Sequence, residues 1–377
     1  MAQLPTVEDV AALARVSRQT VSNVMNTPAR VKESTRTRVL TAIAELGYRP
    51  HASARRLRTR RSSTLGVRLE PVNNGISGSV LDTFLHALTE LADQRGLRVL
   101  LYTAADATAE IEQIRRLRDG ADVDAFVLTS TSHNDPRIGW LVANDVPFVT
   151  FGRPWGAEGG DGAQRTEGHQ GADAAASTHP WVDVDGRAGV REATQHLLDL
   201  GHRRVGFIGW PSPSGAGDDR LAGWEDATRA AGVYEAGRAA FVPDGVESAT
   251  AATVELLAGD HPPDALVCAS DSLAFGALLA ARARGIFDLP VIGYDNTPVA
   301  AAVGMSSVAQ PLEEVAAAVL NLLLGPGDAN IVSRAIPNEE PRHRLLAPRL
   351  VARGSLHLAL DGITGSVAGN HNRKESL

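Results

Sequence analysis

Residues 1–48 contain three short stretches in which apolar residues recur at helical spacing. The first stretch covers 6–14 and opens with Thr6 and Asp9, whose three-residue spacing is a capping-box pattern. Its apolar residues fall on one face and are Val7, Val10, Ala11 and Ala14. We therefore predict a first helix over 6–14 that packs through this face.

Two further helices complete this unit. Ser17 is a favourable N-cap for a second helix over 17–25. A third stretch ends at Gly47, a residue type common at helix C-termini. The apolar residues of these two stretches are Val21, Val24, Val39, Ile43 and Leu46. The pattern predicts a small three-helix domain over 1–48.

The outward face of the second predicted helix is rich in hydrogen-bonding side chains. It consists of Arg18, Gln19, Ser22, Asn23 and Asn26. Short or forked hydrogen-bonding side chains of this kind suit base edges and phosphates in a major groove. The face therefore predicts the recognition helix of a helix-turn-helix.

From Thr64 onward, short apolar runs alternate with helical stretches. The runs TLGVRLE, LRVLLYTA, VDAFVLTST and VPFVTFG predict the strands of one half, and WVDVD, RRVGFIGW, ALVCAS and LPVIGYD predict those of a second half. This alternation is typical of doubly wound parallel sheets. We expect an all-α helix-turn-helix headpiece followed by an α/β core of two parallel-sheet lobes.

Two segments lack the pattern of a folded element. Residues 156–180 contain no large apolar residue, which predicts a disordered insertion, with a lid as the alternative interpretation. Residues 357–377 are polar and aperiodic and predict a disordered tail. Because this tail has no leucine heptads, we expect assembly to stop at a dimer.

Charge divides sharply along the chain. Residues 1–61 contain twelve Lys or Arg and four Asp or Glu, whereas the whole chain carries a net charge of −7. A basic head on an acidic body suits a polyanionic partner that contacts one end only. Double-stranded DNA is such a partner.

Several classes of protein are disfavoured by what the sequence lacks. Cys268 is the single cysteine and lies in the apolar run ALVCAS, so we expect a buried, unreactive thiol. No stretch resembles a signal peptide or membrane span, and we expect a cytoplasmic protein. No GxxxxGK[ST], GxSxG or HExxH motif occurs, so we expect no enzyme, no cofactor and no metal site.

The head resembles the lactose-repressor (LacI) family of bacterial transcriptional regulators. The family pattern is seen as TVEDVAALARVSRQTVSNVMN and then RVLTAIAELGYRPHASARRLRTRRSSTLGV. The resemblance implies that residues 49–61 form a hinge helix only on the operator and insert Leu57 into the minor groove, with a flexible basic linker as the alternative. It also extends the predicted DNA-binding set to Thr6, Ser17, Thr20, His51, Ala54 and Arg55.

Two positions of the head depart from the family pattern. Arg15 stands where the family usually has glycine, and Asn23 replaces a frequent arginine. We expect the fold to accommodate both. The base preference opposite Asn23 cannot be copied from other members.

The resemblance also implies that residues 62–356 form a periplasmic-binding-protein-like core with a ligand between its lobes. Arg220 and Asp295 match positions that hold sugar hydroxyls in the family, and a forked donor opposite a carboxylate is a natural clamp for vicinal hydroxyls. Their alternative roles are a helix-start ion pair and a turn cap. Further candidates follow other strands or lie at strand edges, and they are Asp185, Ser270, Arg153, Trp155, Trp181 and Trp210. An indole can stack on a sugar face, although packing is its alternative role, which we predict for Trp140 and Trp224.

Together these features predict a homodimeric repressor of a carbohydrate-utilisation operon. It would bind a pseudo-palindromic operator and respond to a sugar or oligosaccharide. A purine or nucleoside effector, or an activator role, remains an alternative. A transport binding protein would need a signal peptide and a sugar-modifying enzyme a catalytic set, and the sequence shows neither.

Overall fold

The computed structural model describes residues 5–48, 62–70, 76, 78–155, 179–324 and 342–353. Contacts divide the chain into two compact units, Met1–Ser62 and Ser63–Leu377. The predicted hinge segment at 49–61 and tail at 357–377 lie outside the described residues, as do 156–178 of the predicted insertion.

The first unit contains the three predicted helices. They are α1 (Val7–Ala14), α2 (Arg18–Asn26) and α3 (Glu33–Leu46). The capping box of α1 is confirmed, since Thr6 Oγ1 accepts from the amide of Asp9 while Asp9 Oδ2 accepts from the amide of Thr6 at 2.8 Å. Ser17 caps α2 by accepting from the amide of Thr20 at 3.1 Å, and Gly47 ends α3 with a φ of 61°. A small core of alanines and valines joins the helices.

Arg15 occupies the turn between α1 and α2 in a left-handed conformation, with φ 52° and ψ 52°. This conformation suits glycine, the usual residue of the family at this position, and it strains a residue with a Cβ. The turn nevertheless closes, because the amide of Arg15 donates to the carbonyl of Ala12. The substitution therefore costs strain but leaves the helix-turn-helix intact.

The second unit contains two six-stranded sheets with helices on their faces. The strands are β1 (Thr64–Arg68), β2 (Arg98–Tyr102), β3 (Ala125–Leu128), β4 (Phe148–Phe151), β5 (Trp181–Val184), β6 (Val205–Gly209), β7 (Ala239–Phe241), β8 (Ala265–Cys268), β9 (Val291–Tyr294), β10 (Ser306–Ala309), β11 (His343–Leu346) and β12 (Arg349–Val351). The helices are α4 (Gly78–Gln94), α5 (Ala107–Asp119), α6 (Pro136–Ala143), α7 (Gly186–Asp199), α8 (Ala216–Ala230), α9 (Val246–Ala258), α10 (Asp271–Ala283), α11 (Pro298–Ala302) and α12 (Leu312–Leu324).

The two sheets define two lobes. The sheet of the first lobe has the order β11-β5-β4-β3-β1-β2, and that of the second lobe has the order β12-β10-β9-β8-β6-β7. All pairs are parallel except β10 with β12. Each sheet is buried against its helices in apolar cores of its own. The predicted fold class is confirmed.

The described chain passes between the lobes three times. It leaves the first lobe after β5, returns after β10 through α12, and leaves again between β11 and β12. Helix α12 packs in the core of the first lobe although it follows a strand of the second. The carboxyl ends of the strands of both sheets therefore meet at one cleft, where side chains from both lobes can approach one ligand.

Some elements were not predicted. Strands β7, β10, β11 and β12 contain only three or four residues each, and the sequence analysis did not recognise them.

His179, placed inside the predicted insertion, is 3% exposed, stacks on Phe148 and hydrogen-bonds Thr150. The predicted boundary is therefore corrected by two residues, because a buried imidazole and the following Pro180 belong to the fold.

Other expectations concern burial. Cys268 is fully buried, and Trp224 is packed in the core of the second lobe as predicted. Trp140 is partly buried against the core of the first lobe. Within the described ranges, no helix is long and apolar enough to cross a membrane.

Candidate DNA interface and ligand cleft

The polar face of α2 is exposed on the first unit, because Val21 and Val24 on the opposite face are buried in the small core. Arg18 and Gln19 are exposed, and Ser22 and Asn23 are half-buried. These side chains emerge on successive turns of one short helix, which is the arrangement needed to reach into a groove.

Several of these side chains are already oriented by neighbours. Gln19 Nε2 donates to Asn23 Oδ1 at 3.1 Å, and Ser17 and Thr20 share a hydroxyl hydrogen bond of 2.9 Å. Arg18 forms an ion pair of 3.1 Å with Glu8, with 71% of its side chain exposed. The ion pair is weak at such exposure, so Arg18 can exchange the carboxylate for a phosphate.

Most of the remaining predicted DNA contacts fall where the structure describes no side chain. His51, Ala54, Arg55 and Leu57 lie outside the described residues, as does the side chain of Asn26. Thr6 is half-buried and acts as the cap of α1.

Arg220 is the central cation of the cleft in the second unit. It lies on the first turns of α8, is 8% exposed, and donates from Nη1 to the carbonyl of Ala269 at 2.5 Å. Its guanidinium carbon lies 3.7 Å from the ring centroid of Tyr294 and 5.1 Å from that of Trp210. Its Nε is buried with no hydrogen-bond partner among the described residues. A buried donor left in this state is a strong candidate for ligand binding.

Asp295 directly follows β9 at the same edge of the sheet. Its Oδ1 accepts from Gln310 Nε2 at 2.8 Å, so a neutral amide holds this carboxyl in place. Burial raises the pKa of Asp295 to about 7, although the charge of Arg220 opposes the rise. Asp295 and Gln310 also line a cavity of ≈ 380 Å³ whose other wall includes Ser79 and Thr83 of α4. The cavity therefore draws on both lobes.

Asp244 was missed by the sequence analysis. It follows β7 and accepts from the Ser270 hydroxyl at 2.5 Å and from Trp210 Nε1 at 3.3 Å. It thus connects two predicted ligand contacts, and Ser270 also caps α10. Because β7 and β10 were not recognised, neither Asp244 nor Gln310 could be identified as following a strand.

A second cluster joins the two lobes. Arg153, which follows β4, donates to Asp183 of β5 at 2.6 Å and to Asp219 of α8 at 3.1 Å. Asp219 also accepts from the amide of Arg187 at the start of α7. Burial raises the pKa of Asp219, while Arg153 opposes this effect. The ion pair of Arg153 with Asp219 is therefore a half-buried contact between lobes, with 18% and 15% of the two side chains exposed.

Trp155 reinforces this contact between lobes. A Cβ on Gly215, at the start of α8, would lie 2.5 Å from Trp155 Cγ, so glycine is needed for the indole to lie against the helix end. The Arg153 guanidinium lies 4.9 Å from the same indole centroid. Nearby, His133 Nε2 lies 3.9 Å from Asp218 Oδ2. The structure thus gives Trp155 a packing role between the lobes.

Two further predicted residues have structural partners. Asp185 caps α7 by accepting from the amide of Ala188 at 2.8 Å. Trp181 stacks on His343 at a centroid distance of 4.7 Å, within the pair formed by β5 and β11. The structure brings Arg220, Trp210, Ser270 and Asp295 to one edge of the second lobe, and it does not bring Trp181 to them.

The first lobe contributes a charged network at its own strand ends. Glu110 is fully buried and accepts from Arg68 at 2.9 Å, from Arg137 at 2.8 Å and from the hydroxyl of Tyr102 at 3.1 Å. Arg68 also pairs with Glu70, and Arg137 with Asp135. Across the described ranges, no cluster of side chains has the composition of a metal site.

Comparison with known protein families matches both parts of the chain. Residues 6–51 match the model "Bacterial regulatory proteins, lacI family", and residues 194–356 match a "Periplasmic binding protein-like domain". The chain is 36% identical over 365 residues to the HTH-type transcriptional regulator CelR of Thermobifida fusca, covering 93% of this chain and 98% of that protein.

Solved structures agree with this comparison. The structure described as the "transcriptional regulator CelR-cellobiose complex" is 31% identical, with a TM-score of 0.62 over 93% of this chain and 99% of that chain. The lac repressor dimer bound to operator and the anti-inducer ONPF has a TM-score of 0.73 at 22% identity, over 94% of this chain and 99% of that chain, and shows the shared fold.

A helix-turn-helix followed by a two-lobed binding core defines a DNA-binding transcriptional regulator of the ligand-controlled class. The chain belongs to the LacI family of bacterial regulatory proteins. The relatives named above are transcriptional regulators.

Proposed function

We propose that this protein is a sugar-controlled repressor of a carbohydrate-utilisation operon. The observation that carries the proposal is Arg220, packed against the rings of Trp210 and Tyr294 with a buried, unpartnered Nε. Asp295 and Asp244 supply acceptors at the same edge. An aromatic surface flanked by a forked donor and carboxylates fits the faces and hydroxyls of a pyranose ring.

The similarity to CelR supports a particular sugar class. A CelR structure is described as a complex with cellobiose, and this chain matches it over 93% of its length. The cavity of ≈ 380 Å³ is lined by Asp295 but not by Arg220, and it has the size expected for a small ligand beside the proposed Arg220 contact. We therefore choose cello-oligosaccharides as the first effectors to test.

The DNA-binding part of the proposal rests on the face of α2. Its exposed hydrogen-bonding residues and the basic balance of residues 1–61 favour contacts to base edges and phosphates. We propose a homodimer on a pseudo-palindromic operator, because two copies of one recognition helix read two symmetric half-sites. Leu57 would insert into the minor groove at the central base-pair step of the operator.

This function consists of binding rather than catalysis. Charged side chains around the cleft, namely those of Arg153, Asp183, Asp219 and Asp185, are held in ion pairs and a helix cap, an arrangement that orients a ligand. Because its proposed target is chromosomal DNA, we place the protein in the cytoplasm, on the nucleoid when bound to the operator.

A ligand screen on the full chain tests the proposal. We expect cellobiose or cellotriose to raise the melting temperature, whereas a purine nucleoside in the same screen serves as the non-sugar comparison. Operator binding is then measured by fluorescence anisotropy with and without the active sugar, on a duplex selected by the protein from a random pool. If no saccharide changes the melting temperature, the sugar assignment is wrong.

Arg220→Ala tests the position of the site. Removal of this guanidinium should weaken sugar binding by roughly 30- to 1,000-fold, because it leaves ligand hydroxyls and nearby carboxylates unpaired. Arg229→Ala is a matched control on the same helix, where Arg229 packs on Tyr234 outside the cleft. Equal affinity in Arg220→Ala and the parent would show that the site lies elsewhere.

A further inference from the structure

The two strand-end edges that meet at the cleft contain more carboxylates than cations. Among the described residues, the arginines there are Arg68, Arg137, Arg153 and Arg220, and the carboxylates are Glu70, Glu110, Asp135, Asp183, Asp185, Asp218, Asp219, Asp244, Asp271 and Asp295. Four charged residues lie further out beside the cavity or Asp295, and they balance one another: Glu313, Glu314, Arg349 and Arg353. The described part of the cleft is therefore acidic.

Most of the cleft arginines cannot serve an anionic ligand. Arg153 is held by Asp183 and Asp219, and the guanidinium groups of Arg68 and Arg137 are bonded to carboxylates of the first lobe. Arg220 instead donates to a carbonyl and packs on aromatic rings, and within the described ranges it forms no ion pair. An anion that approached Arg220 would also approach Asp244 and Asp295.

We infer that the cleft selects an uncharged or cationic sugar and rejects phosphorylated and carboxylated ones, and that Asp244 is a residue that sets this selectivity. The inference rests on the proposed function, since it specifies which sugars that site accepts. Asp244 hydrogen-bonds both Ser270 and Trp210, so its carboxylate is fixed at the edge where ligand hydroxyls would bind. Its charge also contributes to the raised pKa of Asp295, after the larger effects of burial and Arg220. Protonation of Asp295 would still leave an excess of carboxylates.

The expected size of the selectivity follows from simple electrostatics. We take separations on the order of 10 Å and an effective permittivity between ~20 and that of water. Under these conditions, each excess negative charge lowers the affinity of the cleft for an anionic ligand by roughly two- to fifteen-fold. Several such charges act together. We expect an anionic sugar to bind at least about tenfold more weakly than its neutral counterpart, and a low-permittivity cleft increases the difference.

Calorimetry on the full chain tests this with three disaccharides that share a β-1,4 skeleton. They are cellobiose, its 6-phosphate, and the glucosamine dimer, which carries ammonium groups in place of hydroxyls. We expect cellobiose and the glucosamine dimer to bind and the phosphate to bind weakly. Raising the salt concentration from 0.05 to 0.5 M shortens the Debye length from about 14 to about 4 Å. This should reduce the difference in affinity between cellobiose and its phosphate, because salt screens charge repulsion but leaves steric exclusion unchanged.

Asp244→Asn removes one charge at nearly constant size. It should improve the affinity for the phosphate relative to cellobiose by roughly threefold or more. Asp119→Asn is the matched control, since Asp119 is exposed at the end of α5 away from the cleft, and it should leave the ratio unchanged. A phosphate that binds as tightly as cellobiose, or a ratio that Asp244→Asn does not change, overturns the inference. If none of the three sugars binds, the proposed function itself fails.

Discussion

The charge of Asp295 should lower the stability of the folded protein while serving ligand binding. Burial raises the pKa of this carboxyl from its ordinary 3.8 to about 7. The folded protein therefore binds the proton more tightly than the unfolded chain does, and the stability contributed by the protonated form is lost as the pH rises from about 4 through 7. The difference in pKa corresponds to a loss of at most about 4 kcal/mol in the free energy of unfolding when the carboxyl ionises. Because the side chain is partly exposed, we expect a loss of about 2 to 4 kcal/mol.

Asp295→Asn removes this titration but keeps an oxygen that can accept from Gln310 Nε2. Relative to the parent, we expect the variant to gain about 2 to 4 kcal/mol in free energy of unfolding between pH 4.5 and pH 8. Urea unfolding of the full chain, followed at both pH values, measures this difference. At pH 8 the same variant should bind the active sugar roughly 10- to 100-fold more weakly, because a charged acceptor is worth more to a hydroxyl than a neutral one.

Asp226→Asn is a control of opposite sign. The pKa of Asp226 is lowered from 3.8 by its hydrogen bond with Arg187, so the folded protein binds this proton less tightly than the unfolded chain does. Removal of this carboxylate should therefore cost nearly the same stability at pH 4.5 and pH 8, and the cost should disappear only below about pH 4. If the stability difference between Asp295→Asn and the parent is the same at pH 4.5 and pH 8, the reasoning from burial is refuted.

Four further predictions concern the rest of the molecule. Operator affinity should fall with salt with a log–log slope of roughly −5, as expected for about six phosphate contacts, and a slope near zero would exclude the proposed interface. Leu57→Ala should weaken binding to the operator far more than to random duplex, and equal losses would show that Leu57 does not wedge a base step. Arg15→Gly should relieve the left-handed turn and stabilise the head by up to about 1 kcal/mol in thermal unfolding; no gain would contradict the assigned strain. Arg153→Ala should destabilise the second unit by about 1 to 3 kcal/mol in urea, because it leaves the half-buried Asp219 without its cation, whereas Arg187→Ala at an exposed pair should cost under about 1 kcal/mol. Equal losses in these two variants would argue against a shielded contact between lobes.

The sequence predicted the helices and long strands well, because their signals are local. The capping box at Thr6 and the apolar stripe of α3 depend on residues three or four positions apart. Strands such as β6, with five buried residues, are also visible as continuous apolar runs. Residues that follow such strands, including Arg153 and Asp295, could accordingly be chosen as candidates.

The rest depended on contacts that no local pattern encodes. Strand β7 has three partly exposed residues and β10 begins with two serines, so Asp244 and Gln310 were not seen to follow strands. Trp155 was predicted as a candidate ligand contact with packing as its alternative role, and its indole lies against Gly215, sixty positions along the chain. A tryptophan after a strand has the same sequence signature whether it meets a ligand or another lobe.

The first turns of α8 carry neighbouring side chains with different partners. Asp218 and Asp219 contact His133 and Arg153 of the first lobe, and the next residue, Arg220, lies at the proposed ligand site. Consecutive residues of a helix move as one rigid body, so a displacement of Arg220 also displaces the carboxylate before it. A ligand that displaces Arg220 would therefore also displace Asp219 and its ion pair with Arg153, because the two residues are neighbours on one helix.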